Sequence, residues 1–246
     1  MSASLDQGVV RLIGSPIGNL GDITIRAVET LKAADVIACE DTRHSLRLLS
    51  HLDIRDKELM SLHEHNEVNR ASDLVGRASA GQLIAILSDA GTPSISDPGY
   101  RLVNACIDAG VRVEVIPGPS AVITGLVGSG LPTDSFYFGG FLPVKSGRKS
   151  RELAAALERV ETSVFFESPH RLLKTLAAIS DLEPGRSVCV ARELTKRFES
   201  YHRGTAAEVA REFDGKTVKG EITLLIRGTG KKKAGRVRDL NAPHKN

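Results

Sequence analysis

The segment 87–100, which reads LSDAGTPSISDPGY, carries the densest set of side chains that could do chemistry. Its Asp, Ser and Thr residues supply carboxylates and hydroxyls, while its Gly and Pro residues shape turns. It follows an apolar run, Leu83–Leu87, that predicts a buried strand. A loop of this kind after a strand of an α/β sheet predicts a small-ligand site. The alternative is a plain turn with a helix cap at Asp97.

Other polar turns follow further predicted strands. The first, Gly14–Asp22, is glycine-rich and could cradle a phosphate or a nucleoside. It has neither the P-loop lysine nor the G-x-G-x-x-G fingerprint, which disfavours a kinase or a nicotinamide enzyme. The others are Glu40–Arg43, Pro117–Ala121 and Phe165–Arg171. The paired carboxylates of Glu40–Arg43 indicate either catalysis or a helix N-terminus, where negative charge is favourable.

The elements that position these turns alternate between strands and helices in the first half of the chain. Apolar runs predict strands at 9–14, 36–39, 83–87 and 111–116. Periodic patterns predict helices at 23–34 with Asp22 as the cap, and at 42–52, 66–80, 97–109 and 120–128. This βα alternation predicts a mostly parallel sheet with helices on both faces.

The pattern changes near residue 133, where we place a domain boundary. Beyond it, strands are predicted at 135–141, 163–167, 187–192 and 221–227, with helices at 149–160, 169–179 and 205–213. The predicted organisation is an N-terminal α/β domain over 1–133, a second α/β domain with a more mixed sheet over 134–230, and a basic tail over 231–246.

Composition excludes several classes of protein. Of 246 residues, 41% are hydrophobic and 26% are charged, as in an ordinary globular protein. No apolar run is long enough to span a bilayer, and the N-terminus lacks a signal-peptide pattern. The distant cysteines, Cys39, Cys106 and Cys189, indicate buried free thiols in a reducing compartment. On a strand, the trio His63–His65 would flank its carboxylate loosely and has no further ligand nearby, so no metal site is predicted.

The net charge of +3 hides an asymmetry. Residues 231–246 alone carry +5, which leaves a body with 27 basic and 29 acidic residues. The pattern predicts a disordered tail that either contacts phosphates or serves only solubility. A second basic cluster, formed by Lys145, Arg148, Lys149 and Arg151, favours an anionic polymer as partner.

Seven motifs carry a resemblance to a known family. They read GSPIGNLGDITIRA, CEDTR, SDAGTPSISDPG, PGPSA, SGLP, FFESPHR and ARELTK. The resemblance that they carry covers roughly Val9 to Gly228. The set resembles the ribosomal RNA small-subunit methyltransferase I family, within the tetrapyrrole-methylase-like class III S-adenosylmethionine (SAM) methyltransferases. Many relatives carry a small helical C-terminal domain; here the chain ends eighteen residues after Gly228. The basic tail and the second basic cluster are therefore expected to grip RNA.

The resemblance implies two α/β domains with SAM in the cleft between them. It implies methyl transfer to the ribose 2′-oxygen of a cytidine in the decoding region of 16S rRNA, within the small (30S) subunit. It further implies a cytoplasmic homodimer that uses neither a metal nor a membrane. The cofactor-binding residues that it implies are Pro16, Asp89, Gly91, Thr92, Ser120, Ala121, Phe166 and Leu194.

A ribose hydroxyl is a weak nucleophile, so a base or hydrogen-bond acceptor is expected to assist it. The candidates are Glu40, Asp41, Glu167 and His170, among which the sequence does not choose. His170 could equally be a helix-start residue in a structural turn. Three arginines, Arg43, Arg171 and Arg192, could bind phosphates or form structural ion pairs. Competing interpretations are a tetrapyrrole or protein methyltransferase, and a nucleotide-sensing or ribosome-binding module without catalysis.

Overall fold

The computed structural model describes residues 8–230, which form two five-stranded sheets. The basic tail predicted for 231–246 lies outside the described residues. Strands and helices alternate along the described residues, except where two consecutive strands (187–192 and 200–205) follow each other, and this confirms the predicted α/β class. None of the described helices has the length and apolar character that a membrane crossing requires.

The first sheet is parallel throughout, in the order β3-β2-β4-β1-β5. Its strands are β1 (Val9–Ile13), β2 (Val36–Cys39), β3 (Glu58–Ser61), β4 (Leu83–Leu87) and β5 (Arg112–Ile116). Parallel strands align their carboxyl ends, so the loops after β1, β2, β4 and β5 meet at one edge of the sheet. The sequence therefore brings its polar turns together through topology.

Five helices accompany this sheet: α1 (Ile25–Ala33), α2 (Thr42–His51), α3 (Glu67–Ser79), α4 (Tyr100–Asp108) and α5 (Ala121–Ser129). The pairs α1/α2 and α3/α4 cover opposite faces, as predicted. The predicted cap of α1, Asp22, is wrong. The N-cap is Thr24, whose hydroxyl accepts a hydrogen bond from the Ala27 N–H. The predicted start of α4 at residue 97 is also wrong, because Gly99 is its N-cap.

The second sheet is mixed, in the order β6-β7-β10-β8-β9. Its strands are β6 (Phe136–Phe141), β7 (Thr162–Glu167), β8 (Ser187–Arg192), β9 (Ser200–Thr205) and β10 (Ile222–Ile226). Only β6 and β7 pair in parallel, and every other described pair is antiparallel. Helices α6 (Ser146–Glu158), α7 (Leu172–Leu182) and α8 (Ala206–Glu212) pack on one face of this sheet.

Helix α5 covers the other face of the second sheet. Its Val122 and Leu126 share an apolar cluster with sheet residues that include Cys189 and Leu225. A Cβ placed on Gly128 would lie 2.4 Å from the Tyr201 ring, so only glycine permits this approach. The last helix of the first half is thus built into the core of the second.

The three cysteines are buried and unpaired, as the sequence predicted. Burial raises the pKa of Cys106 and Cys189 to about 11, which keeps these thiols protonated and unreactive. They contribute apolar volume to the core and do not enter the site described below.

Candidate functional site

The loops after β1, β4 and β5 are tied together at the carboxyl edge of the first sheet. The Ser15 hydroxyl lies within hydrogen-bonding distance of two carbonyls, those of Ser88 (2.8 Å) and Gly91 (3.1 Å), and shares its one proton between them. The Ser15 backbone also pairs with Gly91. The backbones of Gly14 and Gly118 approach so closely that a Cβ on Gly14 would lie 2.7 Å from the Gly118 Cα. These contacts hold three of the predicted polar turns as one surface.

The second half closes over this surface. A Cβ on Gly18 would lie 2.3 Å from the Lys196 side chain, which crosses over the first glycine-rich loop. Gly140, at the end of β6, faces Ser96 in the loop after β4. The cleft between the two sheets is therefore bordered by loops of both halves.

A cavity of about 380 Å³ lies in this cleft, a volume in the range of small-molecule sites. Its walls are mainly apolar, and α5 begins at one of them, where the first-turn N–H groups have no partner within the helix. The lining residues from the first half are Ile17, Ala90, Gly91, Thr92, Ile95, Ser96, Asp97, Ser120, Ala121 and Val122. Those from the second half are Phe141, Phe166, Glu167, Ser168, Pro169, Leu194, Gly220, Glu221, Ile222 and Thr223.

Six of the eight predicted cofactor-binding residues line this cavity: Gly91, Thr92, Ser120, Ala121, Phe166 and Leu194. The other two lie just outside. Pro16 is buried directly before the lining residue Ile17. Asp89 faces α2, where its carboxylate accepts from the Asp41 N–H (3.3 Å) and lies 3.6 Å from the His44 ring.

Of the four predicted bases, Glu167 alone lines the cavity. Its carboxylate is fully buried and pairs with Arg171 at 2.6 Å. It also accepts hydrogen bonds from the Thr175 hydroxyl and the Ser168 N–H, both at 2.6 Å. A carboxylate held by three partners serves to fix the turn after β7, and it has little capacity left for a substrate proton.

The other predicted bases lie away from the cavity wall. His170 is exposed, and its backbone N–H is bonded to the Ser168 hydroxyl at 3.3 Å. Asp41 caps α2 and pairs with Arg43, whose side chain lowers the pKa of Asp41 to about 2. Glu40 borders a small second pocket, and burial together with the nearby Asp89 raises its pKa.

Two functional features of the loop after β4 escaped sequence reasoning. Asp97 lines the cavity, although the sequence suggested only a helix cap at this position. The N-cap residue Gly99 has no side chain, and the free N–H groups at the start of α4 bind Glu67 on α3 instead. Its buried carboxylate accepts the N–H groups of Gly99 (2.9 Å), Arg101 (3.0 Å) and Leu102 (3.4 Å). No local motif signals this contact, because donor and acceptor lie on different elements.

The same loop contains strained backbone. Ser94 and Ser96 adopt positive φ angles of 72° and 63°. Such conformations cost about 1–3 kcal/mol each in a residue other than glycine and cluster at ligand sites. The Glu67 contacts and the bond from the Ser94 N–H to the Pro98 carbonyl (3.1 Å) hold the strained loop in place.

Comparison with known proteins places this geometry in a family. The family model for tetrapyrrole (corrin/porphyrin) methylases matches residues 9–210. Curated relatives named ribosomal RNA small subunit methyltransferase I include one from Halalkalibacterium halodurans, 46% identical over 92% of this chain and 78% of the relative. Another, from Vibrio cholerae, is 48% identical over 89% of this chain and 77% of the relative.

The chain belongs to the ribosomal RNA small subunit methyltransferase I family, within the tetrapyrrole methylases. The resemblance stated from the sequence is confirmed. Among solved structures, a uroporphyrin-III-C-methyltransferase from Thermus thermophilus superposes with a TM-score of 0.62 at 21% identity, covering 90% of this chain and 94% of that one. This likeness confirms the predicted two-domain fold of the tetrapyrrole methylase type.

The chemistry of the cavity fits SAM, the methyl donor that the family implies. Adenine needs apolar contact, which Phe166, Leu194 and Ile17 offer. The polar amino-acid and ribose parts need hydroxyls and backbone groups, which Thr92 and the N-terminus of α5 offer. Residues that line this one cavity therefore offer both the apolar contact for adenine and the polar groups for the rest of SAM.

The three arginines considered as phosphate ligands all have internal partners. Arg43 pairs with Asp41 at 2.9 Å, and Arg171 pairs with Glu167. Arg192 donates to the carbonyls of Lys219 (2.6 Å) and Phe198 (3.3 Å). These contacts support the structural alternative for each arginine.

His63 and His65 lie in the turn after β3, so the assumption that this trio lies on a strand is wrong. Their ring centroids are 6.1 Å apart. Within residues 8–230 there is no group of three His, Cys, Asp or Glu side chains that could hold a metal ion.

Proposed function

We propose that this chain uses SAM to methylate the ribose 2′-hydroxyl of a cytidine in the decoding region of 16S rRNA, within the small ribosomal subunit. The interdomain cavity at the carboxyl edge of the parallel sheet is the observation that carries the methyltransferase proposal. Identity of 41–48% to relatives named for this rRNA activity supports the substrate class. The tetrapyrrole alternative is supported by the broad family model over residues 9–210 and by a likeness of fold at 21% identity, and both are less specific than the rRNA methyltransferase relatives.

The proposed cofactor contacts come from both halves of the chain. When bound, SAM supplies an electrophilic methyl group on a sulfonium. Thr92 and Gly91 contribute polar groups from the loop after β4, and Ser120 and Ala121 present the N-terminus of α5. Phe166 lies across the cavity on β7, where Phe138 and Phe141 stack edge-on or tilted against its ring. Pro16 and Asp89 lie outside the cavity lining and are proposed to hold these loops in position. Pro16 is buried next to Ile17, and Asp89 accepts a hydrogen bond from the Asp41 N–H.

Orientation accounts for most of the catalytic effect in this proposal. Methyl transfer requires acceptor oxygen, methyl carbon and sulfur in line, and a fixed geometry lowers the entropic part of the barrier. The linked loops, with the Ser15 contacts on one side and the Glu167–Arg171 pair on the other, supply rigid walls. The apolar lining excludes water from the reacting atoms.

The RNA-binding face that we assign lies beside the cavity mouth. Phe141 lines the cavity and is exposed, and α6 begins five residues later. Lys145, Arg148 and Arg151 are exposed at the start of α6, whereas Lys149 turns to the Thr175 hydroxyl at 3.2 Å. The exposed cations would bind RNA phosphates, and the ring of Phe141 would contact a base or ribose that enters the cavity.

The finer parts of the proposal follow from the family. A cytoplasmic location, a homodimer and a domain boundary near residue 133 are proposed with it. The basic tail is proposed as a further RNA contact on its charge alone.

The testing experiment measures methyl incorporation from labelled SAM into 30S subunits that lack decoding-region ribose methylation. Nuclease digestion and mass mapping then identify the modified nucleotide. The expected product is a single 2′-O-methylcytidine, and free 16S rRNA serves as the comparison substrate. Incorporation into protein, or none despite SAM binding, would contradict the proposal.

A further inference from the structure

Transfer of a methyl group to a hydroxyl releases a proton, and the site must contain a group that takes it. Among the described residues, three carboxylates line the cavity: Asp97, Glu167 and Glu221. Two of them already have cationic partners. Glu167 is held by Arg171, and Glu221 lies 3.1 Å from the Lys196 ammonium with its side chain mostly in solvent.

Asp97 differs from both. Within residues 8–230, no Lys, Arg or His nitrogen lies within 4 Å of its carboxylate. It is half-buried in the strained loop after β4, between the lining residue Ser96 and the α4 N-cap that Glu67 holds. Across the cavity stand Phe166 and Ser168 of the second half. The Asp97 carboxylate contacts the Ser88 hydroxyl but has no cationic partner in the part of the chain that the structure describes, so it keeps acceptor positions for a ligand at this wall.

We propose that Asp97 is a catalytic residue whose carboxylate accepts the proton of the acceptor hydroxyl during methyl transfer. This inference rests on the proposed function. In the step, the acceptor oxygen forms a bond to the methyl carbon and its O–H bond breaks. The carbon–sulfur bond of the sulfonium breaks with its electron pair left on sulfur, and the proton passes to Asp97. The products are a methyl ether, a neutral thioether and a protonated carboxyl group.

The surroundings of Asp97 raise its pKa toward the value that suits a proton acceptor. Burial raises its pKa to about 6, and the carboxylates of Glu40 and Asp89 add to the increase. A proton acceptor works best when its pKa lies near the working pH. Asp97 is therefore ionised at neutral pH yet a stronger base than an ordinary aspartate.

The other charged groups around the cavity constrain the pH profile. Asp89 has His44 at 3.6 Å, and Asp41 is fixed by Arg43. The lining carboxylates of the second half, Glu167 and Glu221, are paired with Arg171 and Lys196. Burial also raises the pKa of Glu40, but Glu40 does not line the cavity. The acid limb of the activity profile is therefore assigned to Asp97, with an expected midpoint near pH 6.

The test compares Asp97→Asn with Asp108→Asn, an exposed carboxylate at the end of α4. Both are measured for kcat on 30S subunits and, by calorimetry, for the dissociation constant of S-adenosylhomocysteine. Asp97→Asn is expected to lower kcat by about 100-fold or more and to change the dissociation constant less than about threefold. Asp108→Asn is expected to change neither.

A second readout separates catalysis from mere structure. Glu40→Gln removes a neighbouring charge and is expected to move the acid limb, and the Asp97 carboxyl titration seen by ¹³C NMR, to lower pH together. Unchanged kcat in Asp97→Asn would overturn the inference, and so would a loss confined to S-adenosylhomocysteine affinity. If the wild type methylates no 30S subunits, the proposed function fails and the inference falls with it.

Discussion

The hydrogen bonds between Glu67 and the start of α4 allow the stability loss on removing the Glu67 side chain to be predicted. Its buried carboxylate accepts two good hydrogen bonds and one longer bond from the first turn of the helix. Each hydrogen bond to a charged group contributes about 1.5–3 kcal/mol, and the cost of burying the carboxylate offsets part of that sum. We therefore expect Glu67→Ala to lower the free energy of unfolding by about 3–4 kcal/mol.

Glu67→Gln is expected to have a smaller effect. The amide keeps one oxygen acceptor but loses the favourable charge at the helix N-terminus, which is worth about 0.3–2 kcal/mol. We expect a loss of about 1–2 kcal/mol. At this chain length about 1 kcal/mol shifts Tm by 2–4 °C, so Glu67→Ala should melt roughly 10 °C below the wild type.

The assay combines urea unfolding with calorimetry of S-adenosylhomocysteine binding. Glu64→Gln is the matched control, because Glu64 is an exposed glutamate in the turn before α3. The loop that Glu67 anchors carries Gly91, Thr92 and Asp97, so we expect Glu67→Gln to weaken binding as well as stability. A Glu67→Ala protein with the urea midpoint and affinity of the wild type would refute the reasoning.

Three further outcomes are expected. Arg171→Met leaves the Glu167 carboxylate buried without its cation and should cost about 3–5 kcal/mol in urea unfolding. Asp97→Asn should be more stable than the wild type by roughly 1 kcal/mol above pH 6, a value reduced for solvent screening, with the difference vanishing toward pH 4. The double change Arg148→Glu and Arg151→Glu should weaken 30S binding at least tenfold at low salt and leave S-adenosylhomocysteine affinity unchanged.

The sign for Asp97 follows from its raised pKa. Between about pH 4 and pH 6 the folded state binds the proton more tightly than the unfolded state, so stability from this group falls as pH rises through that range. Asparagine does not titrate, and a pH-independent difference would contradict the argument.

For the arginine pair, Arg148→Lys and Arg151→Lys is the charge-preserving control. Equal weakening by both pairs of changes would argue against a phosphate contact.

Several parts of the fold could be predicted from the sequence because their causes are local. Apolar runs predicted strands such as Leu83–Leu87, and the helix after Pro117–Ser120 begins where Ser120 caps it. Two strands were missed for a physical reason. β3 and β9 are edge strands, and their partly buried residues do not alternate between apolar and polar.

Within the site, the sequence by itself determined which loops carry chemistry, since Gly, Pro, Asp and Ser cluster where the backbone must turn beside a ligand. Only the tertiary structure decided the roles of individual carboxylates. The fold buries Glu167, and at that buried position its carboxylate is held by its near neighbours Arg171 and Thr175 and is not left free for a substrate. The pKa of Asp97 is raised first by burial in the folded protein, and then by Glu40 and Asp89, which the parallel strands bring to the same sheet edge. The charge state of an acid depends on burial and on neighbours in space, and the order of residues along the chain does not specify either.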